Sequence, residues 1–228
     1  ETTAPTYCID IRTETRVGVG YENGTWDEAT VPNIGYVERI LLSYFPTVPN
    51  QPAGLNNNQR AAAVQAAIWF FSDGYVVNPS NPLYGAVATI VNDTIAAGPL
   101  PQPAEPDISI TPATAAGPVN GVTGPYTLDA EDGAEVTLSV PRGYGLFADA
   151  AGTQPLDNPV ASGTQVWVRS DTGSTAPATI TARGVVTVPT GNVYLYDQTD
   201  PSVTSAQKLI LASTRDLSST ATATAGFF

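Results

Sequence analysis

Two kinds of hydrophobic pattern divide the chain near residue 100. Before that point, Tyr7, Ile9 and Ile11 alternate with polar residues, which predicts a short strand. Three helical patterns follow, at 34–45, 59–74 and 83–97, the second being alanine-rich and ending at Gly74. After residue 106 the chain contains only short β-rich runs separated by turn residues at intervals of roughly 8–12 residues, which is typical of a β-sandwich.

The change of pattern predicts two domains. Prolines stand at nearly every second position in 99–106, which favours a stiff, extended linker. We therefore expect an α+β domain over residues 1–102, with short strands and about three helices. An all-β, immunoglobulin-like sandwich is expected over residues 103–228.

The amino-acid composition argues against several classes of function. The net charge is −12, so binding to nucleic acid is disfavoured, because few basic groups are present to neutralise phosphates. Histidine is absent, which excludes Ser-His-Asp and Cys-His catalysis and every histidine-ligated metal site, and no cofactor is predicted. No apolar run approaches the ~18 residues of a membrane span, so no membrane contact is expected in this part of the protein.

A single cysteine, Cys8, is the candidate reactive group. One interpretation is a buried, unreactive thiol that packs as a small hydrophobic residue. The other is a reactive thiol that forms one half of a covalent bond, because the usual catalytic partner of cysteine is missing.

Two motifs in the first hundred residues resemble a known family. Tyr7-Cys8 is an aromatic-cysteine pair, and the helical segment 64–69 reads apolar-Gln-x-x-apolar-Trp, with Gln65 and Trp69 one helical turn apart. Together they resemble the thioester domains, of the TQxA type, found in cell-wall-anchored surface adhesins of Gram-positive bacteria. The resemblance covers about residues 5–98.

The resemblance implies a thioester between the Cys8 sulfur and the Gln65 side-chain carbonyl. Tyr7 and Trp69 would shield this bond from water, and the Tyr7 hydroxyl is an alternative route for a proton. Asp10, two residues after the cysteine, would either orient the site or solvate a strand edge.

The implied function is single-turnover covalent attachment rather than enzyme catalysis. A lysine amine on a host or surface protein would displace Cys8 and form an amide with Gln65. The protein is then expected to be secreted, displayed on the cell surface and monomeric, and its acidic charge would recruit a basic patch on the partner.

The alternative function is a non-covalent protein- or carbohydrate-binding module with a buried Cys8. Its stacking face would come from Tyr144, Trp167, Tyr194 and Tyr196, although core packing explains most of these aromatic residues. Lysine occurs once, as Lys208, which argues against an isopeptide cross-link in the second domain and limits self-acylation by a thioester.

Overall fold

The computed structural model describes residues 4–228, so the first three residues of the predicted 1–102 domain lie outside the described part. Within residues 4–228 the helices are α1 Trp26–Ala29, α2 Ile34–Ser43, α3 Asn57–Asp73 and α4 Tyr84–Ala97. The strands are β1 Tyr7–Cys8, β2 Tyr21–Gly24, β3 Ile108–Thr111, β4 Thr114–Gly117, β5 Val122–Ala130, β6 Glu135–Ser139, β7 Tyr144–Phe147, β8 Gln165–Ser170, β9 Ala178–Tyr196 and β10 Leu209–Phe227. The predicted fold class, an α+β part followed by a β-sandwich part, is confirmed.

Local sequence signals set the ends of the helices. Helix α3 begins after Asn56, whose side chain accepts from the Gln59 N–H while the Gln59 side chain accepts from the Asn56 N–H. A cap of this kind contributes about 1 kcal/mol. The helix ends at Gly74, whose φ of 72° suits glycine. Helix α2 ends at Ser43, two residues before its predicted end, because the residue preceding Pro46 disfavours helical dihedral angles.

The chain forms two compact units. Unit 1 contains residues up to Pro103 together with Pro189–Arg215, and unit 2 contains Ala104–Val188 together with Asp216–Phe228. The long strands β9 and β10 therefore each contribute residues to both units. The domains 1–102 and 103–228 stay a prediction, and the compact unit 1 of the structure also includes the segment 189–215.

Unit 1 packs helices against a small sheet with strand order β1-β10-β9-β2. Strand β1 pairs antiparallel with β10, so that Tyr7 lies opposite Ile210 and Cys8 opposite Leu209. Strand β2 pairs antiparallel with the end of β9. The core combines fully buried side chains of the helices and the sheet, among them Val37, Ile40, Leu41, Val64, Ile68, Ile90, Ile9, Val193 and Ile210.

Unit 2 is built from strands alone. One sheet has the order β3-β5-β8-β7, with antiparallel neighbours. In the other, β6 pairs antiparallel with the first half of β9, and β4 pairs parallel with the end of β10. Alternate side chains of these strands fill a separate core, among them Tyr126, Leu128, Val136, Val168, Ile180 and Ala225.

The proline-rich segment is attached to unit 1 at its start. The Leu100 N–H donates to the Gly35 carbonyl at 3.0 Å. Glycine is required at position 35, because a Cβ there would come within 2.4 Å of the Leu100 oxygen. The start of the predicted extended linker therefore packs against the first turn of α2.

Candidate functional site

The free edge of strand β1 is occupied by a side chain instead of another strand. Ile9 donates its N–H to the carbonyl of Lys208, the residue that precedes β10, so the backbone groups of Cys8 face the opposite side. There the Cys8 N–H donates to Gln65 Oε1 at 2.9 Å, and Gln65 Nε2 donates to the Cys8 carbonyl at 2.8 Å. The Gln65 carboxamide thus continues the sheet as a neighbouring strand would, with its position and plane fixed by two hydrogen bonds.

Helix α3 aims Gln65 at this edge. Val64, Ala67 and Ile68 are fully buried and fix the rotation of the helix about its axis. Gln65 lies beside them and is half-buried, at the border between the core and the edge of β1. The alanine-rich sequence allows this close approach because small side chains keep the helix near the strand.

The Cys8 thiol contacts a second glutamine. Successive side chains of a strand alternate, so the thiol points to the face opposite Tyr7 and is half-buried there. On that face Cys8 Sγ donates to Oε1 of Gln207 over 2.8 Å. Gln207 is two residues before Leu209, the strand partner of Cys8, which makes it a diagonal neighbour on the same face.

The environment of the thiol disfavours its ionised form. Burial raises the pKa of Cys8, and the negative charge of Asp10 raises this pKa further. The sulfur is therefore held as a neutral thiol at neutral pH, with its proton directed at an amide oxygen.

Tyr7 belongs to the core of unit 1. Its side chain is 5 % exposed, and its hydroxyl donates to the Phe45 carbonyl at 2.7 Å. Burial raises the pKa of Tyr7 far above its ordinary value of 10.0, so the hydroxyl stays protonated. Its geometry favours packing beneath β1, since its proton is already committed to Phe45.

Trp69 lies one turn after Gln65 and is half-buried. Its ring meets the edge of Tyr75, with a centroid distance of 6.0 Å. The indole Nε1 is buried and has no hydrogen-bond partner among residues 4–228. The ring is therefore held by packing alone.

Asp10 organises the turn that follows β1. Its carboxylate accepts from the Arg12 N–H at 3.3 Å and from the Thr13 hydroxyl. Its backbone carbonyl accepts from Gln207 Nε2 at 3.0 Å. The carboxylate thus bonds within its own turn, and it is the backbone carbonyl of Asp10 that contacts the residue beside the thiol.

Gln207 is the site residue that sequence reasoning missed. It is separated from Cys8 by 199 positions, so no local periodicity connects the two residues. A weak signal exists in the polar Gln207-Lys208 pair that precedes the apolar run Leu209–Leu211, because glutamine at the start of a buried strand needs a polar partner.

Among residues 4–228 there is neither a cluster of metal-ligating side chains nor a membrane-spanning helix. Across residues 4–228, no three side chains of the acidic, cysteine or histidine type come together as metal ligands. In the same range no helix has both the length and the apolar character needed to cross a bilayer.

Comparisons with known proteins agree with the geometry. The sequence profile of the thioester domain family matches residues 5–98. The fold is similar to that of the thioester domain of the Enterococcus faecium TIE86 protein, with a TM-score of 0.53, 18 % identity, and coverage of 97 % of this chain and 82 % of that one. It is also similar to the Bacillus anthracis TIE protein, with a TM-score of 0.53, 12 % identity, and coverage of 98 % of this chain.

This chain spans 42 % of the length of the Bacillus anthracis structure. Comparison with curated proteins found no significant match. The profile match contains both Cys8 and Gln65, which the fold brings together at the edge of β1. The resemblance to the thioester domains that the two sequence motifs indicated is therefore matched by a family profile over the same residues, 5–98.

Proposed function

We propose that this protein is a bacterial surface adhesin that attaches covalently to its target through a thioester between Cys8 and Gln207. The observation that carries the proposal is the contact between Cys8 Sγ and Gln207 Oε1 over 2.8 Å, which places a carboxamide directly against the nucleophile. Gln65, the partner predicted from the sequence, bonds to the Cys8 backbone instead of the sulfur, so we assign it the role of holding Cys8 in place.

The contacts of Gln207 supply what thioester formation needs. Cys8 Sγ bonds to the Gln207 side-chain carbonyl carbon, the bond from that carbon to Nε2 breaks, and the thiol proton leaves with the nitrogen as ammonia. Negative charge develops on Gln207 Oε1 during the attack, and the Thr15 hydroxyl already donates to that oxygen at 2.7 Å. This hydroxyl therefore acts as the oxyanion donor.

In the attachment step the Cys8 sulfur is the leaving group, whereas it is the nucleophile when the thioester forms. A lysine amine on a host or surface protein bonds to the Gln207 side-chain carbonyl carbon, the carbon–sulfur bond breaks, and the amine proton is transferred to the Cys8 sulfur, which becomes a thiol again. The product is an amide, which does not regenerate the thioester. The reaction is therefore a single turnover, and the module is a covalent binder rather than an enzyme.

The chain's own lysine is directed away from this chemistry. Lys208 alternates with Gln207 and so points to the other face of the sheet. Its Nζ donates to the Ala29 carbonyl at 2.6 Å, at the end of α1. Self-acylation is disfavoured, so the thioester is preserved for an amine from another molecule.

The remaining features fit an extracellular module. The net charge of −12 favours approach to a basic, lysine-bearing surface. The strands of unit 2 form a spacer, and the Tyr144 and Tyr196 hydroxyls are bonded to carbonyls of their own units, to Ala176 and Asp200, respectively. We therefore place the protein at the cell surface, anchored to the wall, and favour covalent over carbohydrate binding.

Intact-protein mass spectrometry tests the proposal. Loss of ammonia makes the wild type about 17 Da lighter than its sequence mass, and methylamine then adds about 31 Da. Peptide mapping should place the cross-link, and later the methylamide, on Gln207, and a cross-link on Gln65 would contradict the assignment.

The matched variants are Cys8→Ala and Gln207→Ala, which should show the full sequence mass and take up no methylamine. Gln154→Ala, an exposed glutamine of unit 2, should keep the mass deficit. A wild type with its full mass and a freely titratable thiol contradicts the proposal and supports the non-covalent module.

A further inference from the structure

Exposed hydrophobic side chains concentrate in one groove of unit 1. Seven large hydrophobic side chains are exposed among residues 4–228, and four of them line this groove, which has a volume of about 260 Å³. Scattered exposed hydrophobic residues are normal, whereas a contiguous apolar surface marks a binding site. The four are Tyr75, Val76, which is 70 % exposed, Tyr84, and Ile95, which is 50 % exposed.

The groove is built on elements that the core of unit 1 holds in place. On α4 the lining residues recur at intervals of three or four positions, so they share one face of the helix. Val87 and Val91 of this face are buried and anchor the helix. The opposite wall consists of Phe70 and the segment 75–77, whose Val77 is also buried. The groove is therefore present before any partner binds.

The groove lies next to the reactive edge of β1. Phe70 also lines a neighbouring polar cleft of about 470 Å³, which it shares with Arg12 of the turn after β1. Phe70 follows Gln65, whose side chain bonds the Cys8 backbone, by five positions, or about 7.5 Å along the axis of α3. An extended chain advances about 3.3 Å per residue, so a residue bound in the groove lies about two to four positions from a residue at Cys8.

Charge distinguishes between the possible occupants of the groove. A second copy of this chain carries the same net charge of −12, and an anionic membrane surface is negative as well, so both are repelled. A lysine-bearing segment of another protein is attracted instead. Phe70, Tyr75 and Tyr84 give the groove three aromatic rings, which pack well against an aromatic side chain.

We propose that this groove is the recognition site for the target protein, and that it binds an aromatic side chain about two to four residues from the acceptor lysine. This inference rests on the proposed function and adds the substrate class to it. The thioester forms the covalent bond, and the groove selects which lysine enters that bond.

Synthetic acceptor peptides test the selection. Acetylated peptides of about ten residues contain one lysine and either phenylalanine or serine at a position two, three or four residues from it, on either side. Intact mass follows the rate of amide formation. We expect the best phenylalanine peptide to react on the order of 10-fold faster than its serine counterpart, because the ring is buried in the groove. The ratio of the two rates cancels the amount of thioester and its intrinsic reactivity.

The variant Val76→Ser/Ile95→Ser removes apolar surface from the groove at two exposed positions, so the core is left intact. Its ratio of the two rates should fall towards one. Val48→Ser is the matched control, since Val48 is exposed but lies outside the groove, and it should keep the wild-type ratio.

A binding measurement is independent of the thioester. In Cys8→Ala no covalent bond forms, and the fluorescence anisotropy of a labelled phenylalanine peptide reports binding to the groove alone. Adding Val76→Ser/Ile95→Ser should weaken this binding on the order of 10-fold, and adding Val48→Ser should leave it unchanged.

The outcomes separate this inference from the proposed function. A wild type without the mass deficit overturns the thioester, and the anisotropy then decides on the groove. Where the deficit is present, equal rates for the phenylalanine and serine peptides, or a ratio that Val76→Ser/Ile95→Ser leaves unchanged, overturn the recognition site. A wild-type dimer in sedimentation velocity that the same variant dissociates also overturns it, because the occupant is then a second copy.

Discussion

At the scale of single residues, the backbone and the side chain of Cys8 form hydrogen bonds with two different glutamines. Its backbone bonds the side chain of Gln65, and its thiol bonds the side chain of Gln207. The two glutamines have the same chemistry but different tasks, because one presents its carbonyl to a backbone N–H and the other presents its oxygen to the S–H. Position in the fold, rather than residue type, assigns the roles.

The charge of Asp10 gives a testable effect on the thiol. Asp10→Asn keeps an oxygen for the Arg12 N–H and removes the charge that raises the pKa of Cys8. In the Gln207→Ala background, in which the thiol stays free, we expect the alkylation profile to move to lower pH and the rate at neutral pH to rise severalfold. Asp157→Asn, an exposed carboxylate of unit 2, is the control, and an equal rise in both variants would contradict the prediction.

At the scale of elements, a buried carboxyl joins α2 to β9. Glu38 is 1 % exposed, and its Oε1 accepts from the Gly191 N–H at 2.9 Å. Burial raises the pKa of Glu38 above its ordinary value of 4.5, although the hydrogen bonds from Gly191 and Thr190 oppose the shift. Because burial is the larger effect, the folded structure is more stable when the Glu38 carboxyl is protonated than when it is ionised.

The sign of the pH dependence follows from this raised pKa. The stabilising contribution is complete below the unfolded pKa of about 4.5 and is lost as the pH rises through the higher folded value. Glu38→Gln keeps an acceptor for Gly191 and carries no charge. We expect its melting temperature to exceed that of the wild type by a few degrees at pH 7.

Thermal unfolding of both proteins from pH 4 to pH 7 checks this expectation. The comparison between variant and wild type cancels the repulsion that grows with the net charge of the whole chain. A difference in melting temperature that stays constant across this range would show that the Glu38 carboxyl does not titrate as argued.

At the scale of the whole molecule, unit 1 depends on a distant part of the chain. Strands β1 and β2 contain two and four residues, too few to form a sheet without β9 and β10. Val193 and Ile210 of these long strands also complete the core of unit 1. The family match over 5–98 therefore does not mark an independently folding piece.

A fragment of residues 1–103 tests this dependence. It lacks the strand partners of β1, the two core side chains and Gln207, so we expect it to lack a cooperative melting transition and a mass deficit of about 17 Da. Circular dichroism and intact mass, with the full chain as the control, check the prediction. A folded fragment with a complete thioester would contradict both the dependence on segment 189–215 and the role of Gln207.

Sequence patterns predicted the local elements well where the signals were local. Asn56, Gln59 and Gly74 mark the ends of α3, and Pro46 shortens α2. The four-residue helix α1 was not predicted, although its capping box of Thr25 and Glu28 is visible in the sequence. So short an element has little hydrophobic periodicity to detect.

The sequence by itself determined the chemistry that this protein can perform: one thiol, no histidine, one lysine, and a glutamine placed on a helix by its own caps and apolar neighbours. The tertiary structure alone decided that Gln65 completes the edge of β1, that Gln207 meets the thiol, and that residues 189–215 return to the first unit. The physical reason is range: periodicity and capping act over a few residues, whereas strand pairing joins segments whose separation along the chain leaves no local pattern.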